Sequence, residues 1–283
     1  MGLKKRLAGL SMALVVGTFA FAGCSGGGDS TGSSSAAISG EINGGGSTSV
    51  QKIIEAAGDE FAAQNPDVKF TYSGTGSSDG IKGATEGTYA FGCASRELKD
   101  EEKSGLTELV FAYDGIAMIT HPSNPVTNLS SADLTKIYTG EITNWSQVGG
   151  NDAPVVVVSR EDGSGTRSAV EELLKFEDKL KPDATIKEGN GNVQSTVAGN
   201  ENAIGYVSLT FVDNTVKKVN VDNVEATVDN VVNKSYPVSR PFLAVYKTDS
   251  LNNQTKAFLD FLMTDEGQAI VEKEGGIKVA LEQ

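Results

Sequence analysis

The sequence predicts an α/β protein with mostly parallel strands, and three observations carry that expectation. Short β-rich runs alternate with segments of helical period, 283 residues are enough for two lobes and a cleft, and three strand-to-helix junctions are built of glycines and small hydroxyl residues. In chain order, residues 38–43 read as a first strand. Val50, Ile53, Ile54, Ala57 and Phe61 then fall at helical spacing, with Pro66 just past the end. A strand over 68–72 leads into a 74–80 loop, a helix from about Ile81, a strand over 89–94 and a charged helix over 98–103. Residues 109–120 are strand-like around Tyr113-Asp114-Gly115. A short helix over 133–138 precedes a continuous apolar strand over 155–159 and a helix over 169–176 with Val170, Leu173 and Leu174 inward. Strands over 203–208 and 242–247 and a helical region over 255–274 complete the chain, and no internal repeat is visible.

Composition removes several function classes. Hydrophobic residues make up 39%, so wholesale disorder is excluded, and a net charge of −13 argues against the basic face that nucleic acid requires. A single histidine, His121, reads as a turn or surface residue. With only Cys24 and Cys93 as thiols, the chain lacks the ingredients of most zinc sites and of Ser-His or Cys-His catalytic pairs. No cofactor and no metal site are expected.

Residues 1–23 have the form of an export signal: Lys4, Lys5 and Arg6, an apolar run from Leu7 to Phe21, then Ala22-Gly23 before Cys24. Residues 24–37 are Ser/Gly-rich and read as a tether. Small residues directly before a cysteine resemble the bacterial lipoprotein signal, in which that cysteine is acylated, although Phe21 stands where the pattern usually has an aliphatic residue. Cys24 is thus the candidate lipid attachment, anchoring an extracytoplasmic body to membrane lipid. A Cys24–Cys93 disulfide is the alternative.

The three polar junctions are Gly44–Ser49, Gly74–Gly80 and Asp162–Thr166. A helix start presents unpaired N–H groups and about half a positive charge, and glycine lets backbone approach a ligand closely. Each loop taken singly also suits a simple helix cap. Arg160 ends an apolar strand directly before the third loop, where its fork geometry suits a tetrahedral oxyanion and Asp162 is placed to hold it; a surface ion pair is its plain alternative. The third loop lacks the lysine and spacing of a nucleotide P-loop.

Six ordered blocks carry a family resemblance: Gly46–Ser49, Gly76–Ser78, Ala94–Arg96, Leu134–Trp145, Ser159–Arg167 and Ala203–Val207. Their order and spacing, over about residues 38–283, resemble the phosphate-binding proteins of the Pst ABC transporter (PstS family). The resemblance implies a type II periplasmic-binding-protein fold, two α/β lobes joined by two crossings, with inorganic phosphate in the cleft and an ABC permease as membrane partner. It implies lobe I over 38–113 plus 239–283 and lobe II over 114–238, the crossings lying near 112–115 and 238–241. Carried over by position, Thr48, Ser49, Ser77, Arg160, Ser164, Gly165 and Thr166 bind phosphate, with Ser47 as an extra donor.

One departure bears on selectivity. Many members have Asp where this chain has Arg96, and that Asp accepts a phosphate proton and so rejects sulfate. Asp79 or Glu161 could supply an acceptor instead, or Arg96 could favour the phosphate dianion, and Asp79 and Arg96 are provisional cleft residues; Arg96 has a second reading, an outward ion pair with Glu97 or Asp100. Arg167 is either a second cleft cation or a helix-surface residue. The leading expectation is therefore a non-enzymatic phosphate receptor feeding an ABC importer. Its competitors are a receptor for sulfate, molybdate or tungstate, a secreted phosphoryl-transfer enzyme, and an adhesion or scaffold protein.

Overall fold

A computed structural model describes residues 38–280. The export signal, the tether and Cys24 lie outside the described residues. The first half-chain runs β1 (Gly40–Gly46), α1 (Gln51–Gln64), β2 (Val68–Gly74), α2 (Ser77–Glu86), β3 (Phe91–Ala94) and the long β4 (Thr107–Thr120). Then come β5 (Asn128–Leu129), α3 (Ser131–Thr139), β6 (Val156–Arg160), α4 (Gly165–Leu173), β7 (Thr185–Lys187), α5 (Gly189–Ala198), β8 (Ala203–Ser208), β9 (Lys217–Val221) and α6 (Val228–Val232). The chain closes with β10 (Ser239–Tyr246), α7 (Asn253–Leu262), α8 (Asp265–Lys273) and β11 (Ile277–Lys278).

The main strand order is β2-β1-β3-β10-β4-β8-β6-β7. Parallel pairing joins β1 to β2 and β3, β6 to β7 and β8, and β5 to β9. Every antiparallel pair involves β4 or β10. The expectation of mostly parallel strands therefore holds at the two ends of the sheet and fails at its centre. There the chain passes from one half to the other on extended strands, without the helical crossover that parallel pairing needs.

β4 is long enough to serve two cores. Its first half pairs with β10, and Ile116–Thr120 pairs with β8. One core gathers Ile42, Ile53, Phe61, Phe91, Phe111, Phe242, Phe258 and Leu262. The other gathers Ile116, Met118, Tyr138, Trp145, Val158, Val170, Phe176, Tyr206 and Val219, and Ile277 from the last strand joins it. The apolar stripe expected of α1 is buried: Ile53, Ile54, Ala57 and Phe61 face the first core.

Several boundaries differ from the sequence reading, each for a local reason. α2 begins at Ser77, four residues before Ile81, because Gly76 takes φ 107 and turns the chain straight out of β2. α4 begins at Gly165 rather than Ala169, with Ser164 Oγ accepting from the Arg167 N–H at 3.3 Å as an N-cap. The charged stretch 98–103 forms turns and no helix. Glu102 there accepts from the Lys99 N–H at 2.9 Å and from Arg96, so its carboxylate is drawn back onto the loop. The closing helical region is two helices, broken where Thr264 caps α8. Strands β5, β7, β9 and β11 and helices α5 and α6 are too short or too weakly periodic to have been read.

Phe258 is fully buried between Phe61, Phe70 and Phe91, with ring centroids 4.7–5.7 Å away. Phe258→Ala is expected to cost about 3–5 kcal/mol through lost burial and a residual cavity. A lowered midpoint of urea unfolding reads that loss, and an unchanged midpoint contradicts this account of the first core.

Candidate functional site

Four helix starts converge beside the centre of the sheet. β1 delivers Ser47, Thr48 and Ser49 ahead of α1, β2 delivers Ser77 at the first position of α2, and β6 delivers Arg160 and then Ser164, Gly165 and Thr166. Residues 189–190 open α5. Each start brings the positive end of a helix dipole toward the same region.

The side chains there form one connected, buried network. Ser49 Oγ and Thr166 Oγ1 lie 3.0 Å apart, joining the first half of the fold to the second. Ser47 Oγ donates to Ser95 Oγ at 2.8 Å, and the Ser95 N–H donates to Ser77 Oγ at 3.1 Å. Asn190 Nδ2 donates to Ser49 Oγ at 3.0 Å and to Thr48 Oγ1 at 3.2 Å. Ser47, Ser49, Ser77, Ser95, Ser164, Thr166 and Asn190 are all buried. Glycine is required at 165, since a Cβ there would stand 2.1 Å from Ser77 Oγ and 2.8 Å from Ser95 Oγ.

Two guanidinium groups enter the network. Arg160, 1% exposed, reaches Thr48 Oγ1 at 3.3 Å and Thr166 Oγ1 at 3.5 Å. Its fork is held by Glu161 at 2.6 and 2.7 Å, and not by Asp162 as the sequence suggested. Asp162 instead pairs with Arg167, which also binds Glu171 and donates to the Arg160 carbonyl. Arg167 is thus the outer brace of the Arg160 loop.

Arg240, on β10 and 4% exposed, is the second guanidinium. It donates to Ser49 Oγ at 3.0 Å, to the Ser95 carbonyl at 3.0 Å and to Ser95 Oγ at 3.2 Å. Its Nε and Nη2 bind Asp114 Oδ2 at 3.0 and 2.8 Å. Asp114 also accepts from Ser208 Oγ at 2.9 Å and from the Leu209 N–H at 3.2 Å.

Burial pushes the Asp114 carboxyl above, and the Arg240 guanidinium below, their ordinary values, and their attraction opposes both shifts. Burial also works to raise Glu161, but hydrogen bonds and charge from Arg160, with the Gly189 N–H, outweigh it and hold that carboxyl below the usual range. Both carboxylates beside the cluster are therefore committed to protein donors, and the remaining side-chain groups are hydroxyls, an amide and cations.

The structure brings Ser47, Thr48, Ser49, Ser77, Arg160 and Thr166 into one hydrogen-bonded network, Ser77 through Ser95, with Ser164 and Gly165 at the adjoining helix start. Asp79 is exposed on α2 and makes no side-chain hydrogen bond among the described residues. Arg96 is buried, but it pairs with Glu102 at 2.6 and 2.8 Å instead of Glu97 or Asp100, and reaches Ser78 only at 3.4 Å. His121 is half-buried at a turn, bonded to Ser123. Cys93 is a free thiol in the core of β3, and burial pushes it up to about 12, with Tyr72 opposing.

Sequence reasoning missed Arg240, Asp114, Asn190 and Ser208. A signal existed for two of them: Gly189-Asn190-Gly191 repeats the glycine-and-small-polar composition of the other junctions, and Asp114 interrupts an apolar strand. Arg240 resembles Arg160 in flanking an apolar run, yet nothing local says that it points inward.

Two lobes of α/β structure, joined on β4 and β10 and meeting at converging helix starts, define a type II periplasmic-binding-protein fold. Residues 31–266 match the family model of the PBP superfamily domain. Among curated relatives, the phosphate-binding protein PstS of Borreliella burgdorferi is 33% identical over 248 residues, covering 83% of this chain and 89% of that one. PstS of Bacillus subtilis is 31% identical, covering 85% and 81%. A Clostridium perfringens structure named as a phosphate ABC transporter substrate-binding protein with bound phosphate superposes with a TM-score of 0.84 at 54% identity, covering 85% of this chain and all of that one. An ABC-type phosphate transport receptor from Vibrio cholerae gives 0.74 at 34% identity, covering 84% and 100%. The chain belongs to the PstS family of phosphate-binding proteins.

Removing one partner of the Asp114–Arg240 pair leaves a buried charge uncompensated, so Arg240→Met is expected to cost about 3–5 kcal/mol in urea unfolding. Adding Asp114→Asn to that variant is expected to restore part of the loss; an additive cycle overturns the pairing. For Glu161 the depressed carboxyl means stability present above the ordinary carboxylate range and lost as pH falls through its lowered value. Glu161→Gln is expected to flatten that acid limb in unfolding measured from neutral pH downward.

Proposed function

We propose that the chain is an extracytoplasmic receptor that binds inorganic phosphate at this cluster and delivers it to an ABC importer. The observation that carries this reading is the balance of donors and acceptors in the buried network. Two guanidinium groups, six hydroxyl side chains with Ser95 among them, an amide and helix-start N–H groups face one another, while the neighbouring carboxylates are already bound. Hydroxyls that here satisfy each other gain from a tetrahedral oxyanion, whose oxygens accept from all of them at once.

Ser47, Thr48, Ser49 and Ser77 contribute from lobe I (38–113 plus 239–283), and Arg160, Ser164, Gly165 and Thr166 from lobe II (114–238). Ser95, Asn190 and Arg240 are added to that set. Support for the lobe boundaries comes from the strands that leave one core and enter the other, at Ala112–Ile116 on β4 and Val238–Phe242 around β10. Closure about those crossings removes the ligand from water, which strengthens each charged hydrogen bond. Capture and release need no covalent step.

Arg96 is committed to Glu102, so the proton acceptor that distinguishes protonated phosphate from sulfate is not residue 96. Among the described residues no helix is long and apolar enough to cross a membrane. The small residues Ala22-Gly23 before Cys24 support anchoring by acylation of that cysteine, which keeps the receptor beside the permease.

Arg160→Ala is expected to weaken phosphate binding by about 100-fold or more, since a desolvated charge-assisted contact is worth about 3 kcal/mol. Calorimetric titration of ligand-stripped protein, with circular dichroism as the check on folding, measures it. Near-normal affinity in a folded variant refutes the site. Strong competition by sulfate, molybdate or tungstate would instead reassign the oxyanion.

A further inference from the structure

On the far side of the two crossings from the hydroxyl network lies a cavity of about 580 Å³, a size within the range of small-molecule sites. Tyr113 of β4 forms one wall, and Ser239, Arg240 and Pro241 of β10 form another. The end of α6 with the loop after it, and β11, complete the lining. Much of that surface is apolar, and two side chains in it are unusually open to water for their type: Tyr113 is 42% exposed and Val232 62%.

The charge at this cavity runs against that of the molecule. In a chain of net charge −13, the charged lining groups among the described residues are Lys234, Lys278 and Arg240, with no carboxylate among them. Arg240 is neutralised by Asp114 and Lys278 is bound to Glu272 at 2.8 Å. Lys234 makes no ion pair among the described residues and stands at the lip, after the last turn of α6. An apolar bowl with an uncommitted ammonium at its edge is complementary to a molecule with an apolar body and one negative end.

We propose that this cavity is a second ligand site, for a small amphipathic carboxylate with an aromatic or branched body, and that its occupancy is linked to phosphate affinity. The body packs on Tyr113, Val232, Pro241 and Ile277, and the carboxylate pairs with Lys234. The link is the backbone that forms the wall. Tyr113 pairs with Pro241, Asp114 with Arg240 and Gly115 with Ser239, and the Arg240 side chain runs from this strand pair to Ser49 and Ser95 in the hydroxyl network. This wall is that of the arrangement in which Ser49 touches Thr166, and a ligand that binds it more tightly than the wall of a more open arrangement favours that arrangement and tightens phosphate binding, reciprocally. The linkage rests on the phosphate reading; the site itself does not.

Equilibrium dialysis of the purified full-length protein in detergent against radiolabelled 4-phenylbutyrate is the test. Saturable uptake of one equivalent per chain is expected below about 1 mM, as suits a ligand of this size. Val232→Asp and Lys234→Glu, both at exposed positions and remote from the hydroxyl network, are each expected to weaken uptake about tenfold or more without lowering the melting temperature. The uncharged 4-phenylbutyramide is expected to bind about tenfold more weakly than the acid. Saturating acid is expected to raise phosphate affinity by about three- to tenfold in the parent and not in Val232→Asp. Absence of saturable uptake, or uptake indifferent to both substitutions, overturns the site. Equal binding of the amide overturns the anionic class, and unchanged phosphate affinity with the acid bound overturns the linkage. Failure of phosphate itself to bind would strike the receptor reading and leave the dialysis result standing.

Discussion

The buried ion pair between Asp114 and Arg240 is the interaction on which the rest of the arrangement depends. The two residues are register partners on the adjacent strands where the chain passes between its two cores. A buried pair is costly to desolvate, and it persists only when its remaining hydrogen-bonding capacity is filled. Here Ser208, the Leu209 N–H, Ser49 and Ser95 fill it. Those partners come from both halves of the molecule, so one pair ties the crossing strands to the loops that form the hydroxyl network. Remove it, and the crossing, the loop after β3 and the start of α1 lose their common fixed point.

A strongly acidic protein concentrates positive potential at one place by local means. Helix starts supply fixed partial charges, and Arg160 and Arg240 supply full ones, while the carboxylates nearest them are engaged as braces. Glu161 orients Arg160, and Arg167 with Asp162 and Glu171 steadies the loop behind it. The surplus of negative charge lies mostly at exposed positions, where salt screens it beyond about 8–10 Å. Burial does the opposite for the site, since low local polarity strengthens each contact.

Arg96 shows how a residue at a family position can serve a different end. Its guanidinium is buried against Glu102, and both join the loop after β3 that the sequence reads as a charged helix. The ion pair shapes that loop and leaves Ser95, its neighbour, to face the hydroxyl network.

Much of the molecule was legible from sequence because the signals are local and periodic. The helical stripe of α1, the continuous apolar run of β6, and the glycine-hydroxyl composition of the three junctions each follow from what backbone and water permit over a few residues. The set Ser47, Thr48, Ser49, Ser77, Arg160 and Thr166 came instead from the family resemblance of the ordered blocks, laid over junctions whose composition was readable locally. Only the tertiary structure decided that β4 and β10 make the centre of the sheet antiparallel and that Arg240, Asp114 and Asn190 point into the same network. It alone decided that Glu161 and not Asp162 holds Arg160. Those outcomes depend on pairing between segments more than 100 residues apart, and on which of two adjacent side chains faces inward. Chain-local propensity carries neither, because both are settled by packing and by the cost of leaving a buried charge without a partner.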